Sequence, residues 1–204
     1  NIEDYEKRRQ IGENESYICQ LIRDDLIEDF VVYCNRTNLP ISSAVIEPSI
    51  FETNSFLLNK KPHLIEYAAF YGSIQIFQYL RLNNVELTPE LWLYAIHGKN
   101  GEIIHLLEEN HVVPDDNTFQ ECYIEAIKCH HNDIAKYIKE NLLQIDEKKN
   151  YDFTSDYFKY YNFEFIQVDQ VKDELFNYLC RYDYDILVET LLRNGNININ
   201  TIKI

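Results

Sequence analysis

One pattern returns along this chain and restricts its fold more than any single residue does. From Leu64 to Leu87 the sequence reads LIEYAAFYGSIQIFQYLRLNNVEL. Ile65, Ala68 and Ala69 fall on one stripe of a short helix, and Ile76, Phe77 and Leu80 on the stripe of a second. Positions three and four apart share a face at 3.6 residues per turn, so each stripe can be buried. Tyr71-Gly72 stands between the two, and glycine tolerates the positive φ of a tight turn. Shifted by 27 residues, the template lands on Leu91 to Val113, with Trp92, Ala95, Ile96, Ile103, Ile104 and Leu107 in the same places. A further 31 residues brings it to Cys122–Leu143, filled by Tyr123, Ala126, Ile127, Ile134, Ala135 and Ile138.

Weaker copies flank these three. Ile18 to Cys34 matches with Cys19, Ile22, Phe30, Val31 and Cys34, but places Arg23-Asp24-Asp25 at the turn. Thr154 to Val168 reads as a unit with a shortened second helix, and a last copy carries Phe176, Leu179, Cys180, Leu187, Val188 and Leu191. The sequence thus predicts an extension at 1–16 and one continuous repeat domain at 17–204. Its units lie near 18–43, 64–87, 91–113, 122–143, 154–168 and 175–200, with an insertion near 44–62. The 46 residues between the first two template starts leave room for an inserted helix near Ser49–Asn59, introduced by Pro48. A single helix pair cannot bury its stripe alone, so a stack of pairs is expected.

Composition agrees with helix. Only five Gly and five Pro occur in 204 residues, too few turn formers for an all-β chain of this length. The formal net charge of −15 argues against nucleic acid and anionic membranes as partners, and favours a protein partner with a basic patch. No apolar run approaches the roughly 18 residues of a membrane span. Cys19, Cys34, Cys122, Cys129 and Cys180 are odd in number, irregular in spacing and set in apolar stretches. Buried reduced thiols in a cytoplasmic or nuclear protein fit that usage better than a secreted disulfide framework.

The stretch LIEYAAFYGSIQIFQYL resembles the core of the ankyrin repeat, where an Ala pair, a turn Gly and a Val/Ile pair recur. Thr88-Pro89 is similar to the Thr-Pro that opens an ankyrin helix, and Asn194-Gly195-Asn196-Ile197-Asn198 to the finger between repeats. The style of divergence resembles the expanded ankyrin families of parasitic protists. What the resemblance implies is an all-α, ankyrin-like helix-turn-helix repeat solenoid of five to six units, with short finger loops. It further implies a scaffold that binds another protein through a concave face, with no enzymatic activity, cofactor or small-molecule substrate. Carried over by position, the binding residues are Tyr67, Phe70, Tyr71, Tyr94, His97, Glu125, Lys128, Tyr178, Arg181 and Tyr182. Aromatic and Arg side chains are enriched at binding hot spots, which suits a Tyr-lined face.

Two other readings compete. The chain begins at Asn1 and contains no Met, which fits a regulatory or assembly segment of a larger protein. Cys122, Cys129, His130 and His131 are the one cluster of metal-ligand residue types, with the two cysteines at i, i+7; zinc accepts such ligands, but no second motif supports a site, and no metal is expected. The aromatic block Tyr151, Phe153, Tyr157, Phe158, Tyr160, Tyr161, Phe163 and Phe165 lacks the surrounding positive charge of a base-stacking platform. It is expected to fill the space beside the shortened helix.

Overall fold

A computed structural model describes residues 2–115, 117–144, 151–166 and 174–193. Among them the regular structure is helical: α1 Ile2–Ile11, α2 Tyr17–Arg23, α3 Ile27–Thr37, α4 Leu64–Tyr71, α5 Ile74–Leu82, α6 Leu91–Gly98, α7 Gly101–Glu109, α8 Gln120–Lys128, α9 Asn132–Asn141, α10 Thr154–Lys159, α11 Leu175–Arg181 and α12 Asp185–Arg193. A 3-10 turn at Phe163–Phe165 replaces the second helix after α10, as the shortened unit predicts. The chain divides into two compact units, 1–117 and 118–204, where the sequence suggested one continuous domain. The sequence-defined ends 167–168 and 194–200, and with them the Asn194–Asn198 finger, lie outside the described residues.

In the first unit α2/α3, α4/α5 and α6/α7 are successive helix pairs. First helices pack on first helices, α2 against α4 and α4 against α6, while α3, α5 and α7 form a second row. In the second unit α8 neighbours α10 and α10 neighbours α11, with α9 and α12 folded back on their own partners. The sequence stripes are the core: Ile65, Ala68, Ala69, Ile76, Phe77 and Leu80 are buried, as are their counterparts in the next two pairs. The link 83–90 carries no strand, so no finger hairpin forms there.

Every pair turns on a residue held at positive φ: Asp25, Gly72, Lys99, His130, Tyr161 and Asp183. In all of these but the Lys99 turn, the following N–H reaches back to the carbonyl five residues earlier and closes the helix end. These bonds run from Leu26 to Leu21 at 3.0 Å, Ser73 to Ala68 at 2.9 Å, His131 to Ala126 at 3.0 Å, Asn162 to Tyr157 at 2.9 Å and Tyr184 to Leu179 at 2.9 Å. A side chain at the same position then ties its pair to the one before. Ser73 Oγ donates to the Ile22 carbonyl at 2.5 Å, Asn162 Nδ2 to the Ile127 carbonyl at 3.0 Å, and Tyr184 Oη to the Phe158 carbonyl at 2.7 Å. Asp25 adds a link in the first unit, its carboxylate accepting from the Gln75 and Ile76 N–H groups at the start of α5, both at 3.0 Å.

The insertion does not contain the helix expected near Ser49–Asn59; it is a run of turns. Ser49 Oγ accepts from Phe51 N, Glu52 Oε1 from Asn54 N, and Asn54 Oδ1 from Phe56 N. Such local side-chain bonds compete with helical pairing. Nor is the 1–16 extension detached. Thr53 N and Oγ1 both donate to the Gly12 carbonyl, Asn14 Nδ2 donates to Glu47 O at 2.8 Å, and Tyr5 meets Phe51 edge-on.

The α4 and α6 backbones approach closely. A methyl group at Gly98 would overlap the Ala69 carbonyl oxygen and lie 2.8 Å from the Gly72 nitrogen. Gly98→Ala and Ala68→Leu should each lower stability by about 1–3 kcal/mol through overpacking, read as an earlier midpoint in urea unfolding. Unchanged midpoints for both would contradict this packing.

Candidate binding surface

The C-terminal end of each first helix carries one template position in all six pairs: Arg23, Phe70 and His97 in the first unit, Lys128, Lys159 and Arg181 in the second. The two units use it differently. In the first, the 44–62 segment lies against this position. The Phe56 ring stacks on Phe70 at 5.8 Å between centroids, meets Tyr94 edge-on at 5.0 Å and His97 at 4.2 Å. Lys60 Nζ stands 3.4 Å above the Phe56 ring, a cation–π arrangement. Arg23 donates to the Asn14 carbonyl at 2.7 Å and to Tyr67 Oη at 3.2 Å, and pairs with Glu13 at 2.9 Å.

Four of the ten expected contact residues are therefore interior. Tyr67, Phe70, Tyr94 and Tyr178 are buried, because neighbouring rings and insertion residues consume their faces. Tyr178 stacks on Phe158 at 5.0 Å and donates from Oη to Asp152 at 2.7 Å. Tyr71 and His97 are half-buried; Tyr71 leans on Tyr67 and Phe70. Tyr182 is half-buried, its hydroxyl 2.6 Å from Ser155 Oγ.

The second unit leaves its cations to solvent. Lys128, Lys159 and Arg181 are exposed, and Glu125 is half-buried. Lys128 and Glu125 pair across one helical turn at 3.0 Å. Lys159 was missed by reading helix pairs one at a time; its identical template position was the signal that could have found it. Of the aromatic block, Phe153, Tyr157 and Phe158 are buried while Tyr151, Tyr161 and Phe163 are exposed. Space filling accounts for the first three rings.

Cysteine chemistry is muted. Among the described residues Cys122, Cys129, His130 and His131 do not bring three ligand atoms together. Cys122 is buried in α8, and the backbone N–H groups of His130 and His131 form the turn that closes it. Burial, followed by the nearby Glu125 carboxylate, pushes the Cys129 thiol up to about 11, the reverse of what a nucleophilic thiolate needs. None of the five cysteines is in a disulfide; Cys180 is exposed, contrary to the apolar stretch around it. A cavity of about 50 Å³ lies beside Tyr67, Glu52 and Lys60. That is room for a water molecule or two, far below the roughly 300–1,000 Å³ of ligand pockets. No helix among the described residues is long and apolar enough to cross a membrane.

A family described as a domain of unknown function (DUF3447) matches residues 82–169, less than half of the chain. No curated protein and no solved structure matches it.

Burial also fixes how this protein responds to alkali. Desolvation raises the Tyr71, Tyr151 and Tyr184 phenols from 10.0 to about 12, and the Cys129 thiol from 9.0 to about 11. Between the ordinary and the folded values the unfolded chain has released protons that the folded chain still holds. Stability is therefore fully present below the ordinary values and falls as pH rises through that window. Urea midpoints measured across the window should decline steadily. Midpoints flat with pH would contradict this.

Proposed function

We propose that this chain is a protein-interaction scaffold built from ankyrin-like helix pairs, a repeat solenoid that holds another protein along the C-terminal ends of its first helices. The observation that carries the reading is the row Lys128, Lys159 and Arg181: one exposed cation per pair, at one template position, on adjacent helices. Side chains fixed on stacked short helices offer a pre-formed surface, which lowers the ordering cost of binding. The row presents donors to carbonyl and carboxylate groups of a partner strand or loop, and Glu125 and Tyr182 lie within it. The surrounding acidic balance, −15 in all, favours basic residues elsewhere on the same partner.

In the first unit Phe56 of the chain itself lies against Phe70 and His97 at the corresponding position, so the contribution there rests on Tyr71.

Charge reversal at the row, Lys128→Glu with Lys159→Glu and Arg181→Glu, separates this reading from a purely structural role. Exposed substitutions change stability by less than about 0.5 kcal/mol each, so the thermal midpoint should hold. Capture of the partner that wild-type protein retains from native lysate should fall by about tenfold or more, and wild-type capture should weaken with added salt. Undiminished capture by the triple variant would overturn the assignment of this surface.

A further inference from the structure

The interface between successive pairs follows a fixed rule, and the last pair leaves its half of it open. The residue preceding the end position of a first helix is buried in the earlier pairs, and at Ile22, Ile127 and Phe158 its carbonyl also receives the next pair's donor. Ile22, Ala69 and Ile127 are each 0% exposed at this position, and Phe158 is 2% exposed. The equivalent residue of the last pair is Cys180, which is exposed. On the second helix Leu187 is 46% exposed where Ile76 is 0% and Ile134 8% exposed; the first pair has the charged, exposed Asp29 at this position. Ile186 and Leu192 are exposed on the same helix, while Val188 and Leu191 pack inward against the Phe158, Tyr178 and Leu179 cluster.

We infer that the α11/α12 pair is an open stacking edge that seats one more helix pair of this template in tandem. The occupant's chemistry follows from the three ladder bonds already described. It carries Ser, Asn or Tyr directly after its left-handed turn residue, aimed at the Cys180 carbonyl, and a small or apolar stripe that covers Leu187. The surface continues an interface used within both units, so it asks for no new mode of recognition. A second copy of this chain is a poor occupant. Its first pair has Leu26 at the donor position, which has no side-chain hydrogen to give, and the copies repel with −15 charges each.

The inference is independent of which protein the scaffold binds, and Cys180 reports on it. The 204-residue chain and the same chain extended by a duplicate of residues 63–87, which brings the Ser73 donor, are treated with iodoacetamide under native conditions. Modification of Cys180 is followed by mass spectrometry. Cys180 should react promptly in the chain as it is and slow by about tenfold or more in the extended chain. Leu187→Asp in the extended chain should restore the fast rate. In the unextended chain Leu187→Asp should leave the melting temperature unchanged, whereas Ile76→Asp should lower it sharply. Three results would each overturn the inference. Cys180 could react slowly at high dilution in the unextended chain, showing the edge already covered. Its rate could fall with protein concentration, showing a second copy seated there. Or it could be as fast with the extension as without.

Discussion

Each helix pair closes on a residue at positive φ, and at Ser73, Asn162 and Tyr184 the side chain that follows reaches the carbonyl of a buried residue in the pair before. That link decides most of what else this protein can be. A short helix is marginal by itself, and these run from six to eleven residues. Their stability comes from the neighbour. The ladder satisfies carbonyls that would otherwise be stranded at a helix end, and between α4 and α6, where the Gly98 and Gly72 backbones approach closely, Asn100 Nδ2 donates to the Gly72 carbonyl at 2.9 Å.

Stacking also decides which side chains remain for recognition. Positions facing the next pair are consumed as core, and the 44–62 segment consumes the aromatic face of α4 and α6 through Phe56. What survives in the second unit is the row of cations at the helix ends, standing out of a strongly acidic chain. The same aromatic density that suggests a sticky surface in the sequence is largely interior mortar in the structure, with Tyr178 on Phe158 as the plainest case.

The helix pairs were legible because burial leaves a period in the sequence: the template starts at Cys19, Ile65, Trp92, Tyr123, Thr154 and Phe176 each fall inside a first helix. The turns were legible only at Gly72. Asp25, Lys99, His130, Tyr161 and Asp183 adopt the same left-handed conformation, all but Lys99 closed by the returning N–H bond, and no residue type signals that. The exposure of the proposed binding face was half legible. Lys128 and Arg181 are exposed as a first-helix end predicts, but periodicity places a residue on a face without saying what covers the face. Tyr67, Phe70 and Tyr94 are hidden by the insertion and by the Arg23 network, contacts far apart in sequence. The inserted helix failed for a local reason, the side-chain bonds of Ser49, Glu52 and Asn54.

The ladder can be tested at its rungs. Asn162 is buried and donates both to the Ile127 carbonyl and, at 2.7 Å, to Asn132 Oδ1; Ser73 is buried and donates to the Ile22 carbonyl. Equilibrium urea unfolding of Asn162→Ala and of Ser73→Ala measures what each rung contributes. If these bonds hold successive pairs together, each variant loses about 1–3 kcal/mol, the cost of leaving a buried acceptor unpaired. Losses within about 0.5 kcal/mol of wild type, the range of an ordinary surface change, would show that the pairs stack without the ladder.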